Sequence, residues 1–211
     1  YSDICVFSLH PVKIITTGEG GLATTNNKNL AQRMSDLRSH GITKDNNEFI
    51  YSNKGKWYYE QQNLGYNYRI TDIAAALGIN QLRRINEFIK LRERNSNYYR
   101  KVLKNTNVDF IEIPTNVKSS HHLTIIKLKN FSKQDHINFF DKLREKNIGV
   151  QVHYIPVHLQ PYYKKFGYKE GDFPASEKYS VSCISLPNYP SLTLEEIDYI
   201  ANCIKNLIKN F

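Results

Sequence analysis

Cys5-Val6-Phe7-Ser8-Leu9-His10-Pro11-Val12-Lys13-Ile14-Ile15-Thr16-Thr17-Gly18-Glu19-Gly20-Gly21 decides how the rest of the chain is read. Residues 4–9 form a short apolar run rich in β-branched and aromatic side chains, bounded by Pro11. That pattern predicts a buried strand delivering its end to an irregular loop. Pro11 removes a backbone donor and restricts the residue before it, so the chain here is neither helix nor continuing strand. Lys13 therefore falls just past a strand end. Gly18, Gly20 and Gly21 permit unusual backbone angles and close approach, and a second strand is expected over residues 22–25. A lysine hemmed by Pro11, Val12, Ile14 and Ile15 is poorly solvated, which favours its neutral amine and suits it to act as a nucleophile or Schiff-base former. A lysine whose stem packs while its ammonium stays in water can have the same neighbours. One function class is excluded by order alone: a nucleotide-triphosphatase loop needs glycines before its lysine and Ser or Thr directly after, and here the order is reversed.

Working outward, 211 residues with 40% hydrophobic content suffice to bury a real core in one large domain or two small ones. Twenty-nine Lys and Arg against twenty Asp and Glu give a formal net charge of +9, spread along the chain. That balance suits an anionic ligand such as a nucleotide sugar but does not argue for nucleic acid. Cys5, Cys183 and Cys203 are odd in number and lack Cys-x-x-Cys spacing, which argues against a disulfide framework or zinc site and makes a reducing cytoplasm the default. No apolar run reaches the ~20 residues of a membrane helix. The chain opens at Tyr1 without methionine, so any upstream signal would be invisible.

Asn26-Asn27 predicts the cap of a helix with Leu30, Met34 and Leu37 on one face, packed on the sheet and ending near His40-Gly41. Residues 43–62, polar and carrying Trp57-Tyr58-Tyr59, read as a long loop. Thr71 is the expected cap of a long helix that starts with Ala74 to Leu77 and runs on to about Lys104. Its Arg83, Arg84, Lys90, Arg92, Arg94, Arg100 and Lys101 are read as a solvated face interrupted by Glu87 and Glu93. Strands are then expected over 108–113, 122–128 and 150–155. A helix should open at Ser132-x-x-Asp135 and carry Ile137, Phe140 and Leu143. A last helix should open at Thr193-x-x-Glu196 and carry Ile197, Ile200, Ala201, Ile204 and Leu207. His121 and His122 cannot share a direction on a strand and are read as structural. His153 and His158 straddle Pro156 with no carboxylate or cysteine completing a set, so no metal site is assigned.

Three strings carry a resemblance. Ser8-x-x-x-x-Lys13 with Gly18-Glu19-Gly20-Gly21 resembles the cofactor-lysine segment of the DegT/DnrJ/EryC1/StrS sugar aminotransferases. Gly65-Tyr66-Asn67-Tyr68-Arg69 is similar to a second segment of that family. Gln151-Val152-His153-Tyr154-Ile155-Pro156-Val157-His158-Leu159-Gln160-Pro161-Tyr162-Tyr163, with Phe166-Gly167-Tyr168 and Gly171-Asp172-Phe173-Pro174, resembles one branch, which serves pseudaminic acid synthesis. The resemblance implies an α/β, fold-type I enzyme dependent on pyridoxal phosphate. Residues 1–105 would be the C-terminal part of the large cofactor domain with a linking helix, and 106–211 a small α+β C-terminal domain. It implies that Lys13 is catalytic and, with Ser8 and Asn67, binds the cofactor, Asn67 reaching the site of the neighbouring subunit in a homodimer. It further implies substrate contacts from His153, Tyr154, Gln151, His158 and Arg69. The implied reaction moves an amino group, from glutamate, to the C4 ketone of a UDP-linked 6-deoxy-N-acetyl amino sugar in the cytoplasm, with no nucleic-acid or membrane partner. Members of the family carry a further segment ahead of the Tyr1 position, with the partner of the pyridinium nitrogen. A non-catalytic binding homologue and another nucleotide-sugar aminotransferase are the alternatives.

Overall fold

The computed structural model describes residues 2–51, 54–209 and 211. The chain divides into two compact units, Tyr1–Ile85 and Asn86–Phe211.

In the first unit, β1 (Cys5–Ser8) pairs antiparallel with β2 (Gly21–Thr24), Cys5 opposite Thr24 and Ser8 opposite Gly21. The first strand was expected to be buried, yet every residue of the pair is exposed, Val6 by 74%. A two-stranded ladder supplies no layer of its own to cover either face. Helix α1 (Lys28–Arg38) begins where expected: Asn27 Oδ1 accepts from the backbone N–H groups of Asn29 and Leu30. Leu30, Met34 and Leu37 are half-buried, and the helix lies beside β3 (Ile42–Thr43). It ends at Ser39, followed by His40 and Gly41 with φ of 66° and 67°. At Gly41 the chain is crossed so closely that an added Cβ would stand 2.0 Å from the Asn63 carbonyl oxygen. Gly65 is equally confined, its Cβ position lying 2.2 Å from Gly41 N.

The loop expected over 43–62 is closed by a short ladder between β3 and β4 (Glu60–Gln61). It is organised on the Glu60 carboxylate, which accepts from Ile50 N (2.7 Å), Tyr51 N (2.8 Å), Tyr58 Oη (3.0 Å) and Gln62 Nε2 (3.1 Å). Burial would raise this acid, but the two backbone donors, Gln62 and Tyr58 together bring it down to about 2 from an ordinary 4.5. The long helix expected next is two: α2 (Asp72–Arg83), capped by Thr71, and α3 (Ile85–Val102). Arg84 separates them, with φ −101°, ψ 3° and its N–H turned to the carbonyl of Gln81, three residues back.

In the second unit β5 (Val108–Phe110), β6 (Thr124–Leu128) and β7 (Cys183–Leu186) form an antiparallel sheet in the order β5-β6-β7. The core joins Ile126, Leu128 and Ile184 of the sheet to Phe139 and Leu143 of α4 (Lys133–Glu145). It also takes in Ile197, Ile200, Ala201 and Ile204 of α7 (Leu194–Ile208). Both helices open with the expected capping boxes, Ser132 with Asp135 and Thr193 with Glu196. Each fully buried aliphatic or aromatic side chain here contributes about 1.5–3 kcal/mol. α3 packs Tyr99 into this same core and belongs with the second unit, whereas the sequence had placed it at the end of the first part, at 105.

Four other expectations are corrected. The inward face of α4 is His136, Phe139 and Leu143, with Ile137 exposed, because the helix is phased on Phe139. Arg92 is buried, its guanidinium taking the carbonyls of His122 and Asn188. Residues 150–155 make only a single bridge, Gln151 to Ser185, instead of a strand. The third strand is β7, and His121 and His122 precede β6, with His121 at φ 49°.

The Glu60 arrangement yields a pH prediction. Because its folded pKa lies below its ordinary value, its contribution is complete above pH 4.5 and is lost as pH falls toward 2. Hydrogen-exchange protection of the Ile50 and Tyr51 amides, referred to core amides of α7, should decline across that window. In Glu60→Gln it should be reduced and flat with pH. Protection that is the same in both proteins would contradict the assignment.

Candidate functional site

Lys13 sits on the connection between β1 and β2, and that connection is tied at its base. Leu9 N donates to Gly20 O (2.9 Å), while Leu9 O accepts from Thr17 N (3.0 Å) and Thr16 Oγ1 (3.0 Å). Lys13 N closes a turn on His10 O at 3.0 Å. Thr17 is buried and donates from Oγ1 to Glu19 O at 2.8 Å. Its surroundings explain two glycines: a Cβ at Gly20 would meet Thr17 Oγ1 at 2.2 Å, and one at Gly78 of α2 would meet Thr17 Cγ2 at 2.7 Å. The loop is thus seated on α2 through Thr17. Lys13 is half-buried, and among the described residues its amine has no ion-pair partner. Ser8 Oγ receives only a long contact from His10 N, 3.5 Å, so its hydroxyl proton is uncommitted among the described residues.

The Asn67 segment is placed by the backbone. Tyr66 N donates to Leu37 O (2.6 Å), His40 N to Tyr66 O (2.9 Å) and Tyr68 N to Arg38 O (2.9 Å). The rings of Tyr66 and Tyr68 stack at 4.7 Å and 12°. In an extended segment side chains alternate, so Asn67 is presented away from that stack, and it is exposed. A surface cleft of about 380 Å³ joins Gly20 and Gly21 of the lysine loop to Tyr68, Arg69 and Thr71. The structure therefore brings Arg69 beside the glycine turn.

Gln151, His153, Tyr154 and His158 lie in the second unit. Gln151 exchanges backbone hydrogen bonds with Ser185 (3.2 and 2.8 Å), and its side-chain oxygen accepts from Val152 N. His153 Nδ1 lies 2.7 Å from Ser185 Oγ, and its ring meets Tyr154 edge-on at 4.6 Å. Tyr154 is 67% exposed. His158 is turned inward: it is buried, its ring lies 4.7 Å from that of Phe173, and its Nε2 is 2.8 Å from Glu177 Oε1.

Glu177 was not singled out from sequence, although it lies three residues beyond the Gly171-Asp172-Phe173-Pro174 string. It is the anchor of this region. Its carboxylate also accepts from Gly171 N (3.0 and 2.9 Å) and Phe173 N (3.2 Å). The Gly171 amide holds the acid below the usual carboxylate range against the opposing effect of burial, and His158 and the Phe173 amide add to it. The aromatic arch so pinned borders a cleft of about 400 Å³ lined by Val157, Tyr163, Tyr168, Phe173 and Ser176.

Comparison with known proteins adds the family. Residues 1–205 match the DegT/DnrJ/EryC1/StrS aminotransferase family. An uncharacterised protein of Methanocaldococcus jannaschii is 40% identical over 98% of this chain and 54% of its own length. The UDP-4-amino-4,6-dideoxy-N-acetyl-β-L-altrosamine transaminase of Campylobacter jejuni is 35% identical over 99% of this chain and 53% of its own. Among solved structures, the PMP-form of Spr1654 from Streptococcus pneumoniae, described as a sugar aminotransferase, superposes with a TM-score of 0.91 at 29% identity. That match covers 99% of this chain and 54% of the other. The chain spans about half the length of the relatives it matches, and its fold is that of the corresponding part of the fold-type I sugar aminotransferases.

Glu177→Gln removes the charge that holds the arch. Hydrogen exchange at the Gly171 and Phe173 amides should accelerate on the order of tenfold, the consequence of replacing charge-assisted bonds by neutral ones. Amides of β7 should be unaffected. Unchanged exchange at Gly171 would show that the carboxylate does not anchor the arch.

Proposed function

The chain belongs to the DegT/DnrJ/EryC1/StrS aminotransferase family, and from that premise we propose that it takes part in pyridoxal-phosphate-dependent amino transfer to a nucleotide sugar. The substrate of this reading is a UDP-linked 6-deoxy-N-acetyl amino sugar carrying a C4 ketone, and glutamate is the donor. The observation that carries it is the pinned β1–β2 connection, which holds Lys13 between a strand end and a glycine turn. The first unit serves as the later part of the cofactor-binding domain, and the second as the small domain.

The residues present suit the cofactor. Its carbonyl needs a primary amine, and Lys13 has one without an ion-pair partner among the described residues. Its phosphate needs several donors, and Ser8 and Asn67 each offer one not committed elsewhere among the described residues. When bound, the cofactor supplies the electron sink for cleavage at the amino-bearing carbon. Lys13 Nζ would hold the cofactor by its carbonyl and would serve as the general base and acid that moves the proton at the reacting carbon. Ser8 and Asn67 fix the phosphate end, Asn67 serving the partner's site in a homodimer. In the second unit Tyr154, exposed and braced edge-on by His153, contacts the sugar with His153 and Gln151; in the first unit Arg69 is assigned to substrate. His158, bound to Glu177, supports the arch from within. The transaminase similarity at 35% identity supports the choice of sugar.

The test is complementation in the protein carrying this chain. Lys13→Ala should abolish amino transfer with the fold intact, and Asn67→Ala should lose cofactor on dialysis. Mixed under exchange, the two variants form heterodimers in which one site has both defects and the other neither. Activity up to half that of wild type per mixed dimer should return. With subunit exchange verified independently, persistent inactivity would refute the shared site. Full activity of Lys13→Ala alone would refute the reading as a whole.

A further inference from the structure

The second unit holds a cleft that the reading above does not use. It measures about 520 Å³ and is walled by Glu93, Asn97 and Arg100 of α3 and by Val117, Lys118 and His121 of the connection between β5 and β6. A smaller recess of about 110 Å³ shares Arg100, Ser119 and His121 with it. The larger volume lies within the ~300–1,000 Å³ typical of small-molecule sites.

His121 is the telling residue. It is only 8% exposed and lines both spaces, yet its imidazole has no hydrogen-bond partner among the described residues. Its backbone is fully engaged: its N–H donates to Ser119 Oγ at 3.0 Å, and its carbonyl accepts from Asn188 Nδ2 at 3.1 Å. A polar ring fixed this firmly, open to the cleft and without a protein partner among the described residues, is available to a ligand in the cavity. Burial lowers its pKa, with Glu93 opposing and Arg100 assisting, so at neutral pH the ring offers one donor and one acceptor.

The charges around it are ordered. Glu93, Asn97 and Arg100 recur at i, i+4 and i+7 and so share one face of α3, with acid and base about 10 Å apart along the axis. Arg100 is oriented by its Nη2–H bond to Ile111 O (2.6 Å) and by the Phe110 ring, whose centroid lies 4.8 Å from Cζ. Among the described residues its other N–H groups make no hydrogen bond, so they remain for a ligand, and Lys118 adds a second cation. A phosphate or simple dicarboxylate would meet the Glu93 charge, and a simple amine would meet Arg100 and Lys118. A zwitterion satisfies both ends.

We propose that this cleft binds a free α-amino acid, its carboxylate on Arg100 and Lys118, its ammonium on Glu93, and His121 completing its hydrogen bonds. The site shares no residue with the Lys13 group and is tested without cofactor or turnover. The chain labelled in histidine is titrated with L-glutamate, L-alanine, acetate and inorganic phosphate, and the His121 ring signals, assigned with His121→Gln, are followed by NMR. Both amino acids should shift those signals saturably, and acetate and phosphate should bind more weakly. Glu93→Gln should weaken the amino acids roughly three- to tenfold while leaving acetate unchanged, the effect of losing one ion pair in a cleft. Lys118→Ala should weaken amino acids and acetate alike. Both substituted side chains are exposed, so neither change threatens the fold. The proposal is overturned if no amino acid shifts His121 saturably, if phosphate binds more tightly than the amino acids, or if Glu93→Gln leaves their affinity unaltered.

Discussion

The carbonyl oxygen of Leu9 accepts two hydrogen bonds, from the amide of Thr17 and the hydroxyl of Thr16, while the amide of Leu9 reaches Gly20. These three bonds turn the twelve-residue excursion between two strands into a closed loop, and Lys13 lies near its middle. Closing a loop costs entropy, and here it is offset by bonds that also satisfy backbone groups β1 and β2 would otherwise leave open at their ends. Thr17 then fits between Gly20 and Gly78, where a side chain at either glycine would collide with it. The position of the amine depends on this seat, and through it on α2. Reactive side chains need such support, because a group displaced by even an ångström loses its chemistry.

The second unit solves a different problem with polar groups. α3 brings Arg92, Asn95 and Tyr99 under the turn that follows β7. Asn95 Nδ2 donates to Tyr189 O at 2.9 Å, Tyr99 Oη to Pro187 O at 3.1 Å, and Asn188 Nδ2 to Thr124 Oγ1 at 2.9 Å. A turn this irregular could not be buried without donors for its carbonyls. The helix that supplies them therefore fixes the start of β6, and with it the setting of His121. The Glu177 carboxylate plays a comparable part for the aromatic arch, and Glu60 for the loop between β3 and β4. In each case one side chain gathers several backbone groups.

What could be read from sequence was local. Asn27, Thr71, Ser132 and Thr193 were recognisable as helix starts because a cap is decided within four residues, and all four bond as expected. The amphipathic run of α7 was equally plain, since its inward positions recur at helical spacing. The strand end before Lys13 and the glycine turn after it were legible for the same reason. What failed required distant partners. β7 is a four-residue strand whose identity comes from pairing with β6, some sixty residues earlier, and residues 150–155, better strand formers, make only one bridge. Arg92 looked like a surface cation because nothing near it in sequence shows that carbonyls from residues 122 and 188 converge on it. Glu177 as an anchor, and the place of His121 on the wall of a cleft, were missed for the same cause. The apolar character of β1 was correctly seen, but burial is a property of neighbours, and the described residues provide none over that pair.

The central claim is that Lys13 is the amine to which the cofactor's carbonyl belongs, and it can be checked on the covalent bond itself. Protein carrying this chain is incubated with pyridoxal phosphate, reduced with borohydride, digested and mapped by mass spectrometry. The account predicts one saturable site of modification, on Lys13, and its disappearance in Lys13→Ala. Saturable modification of a different lysine, with Lys13 unlabelled, would contradict it.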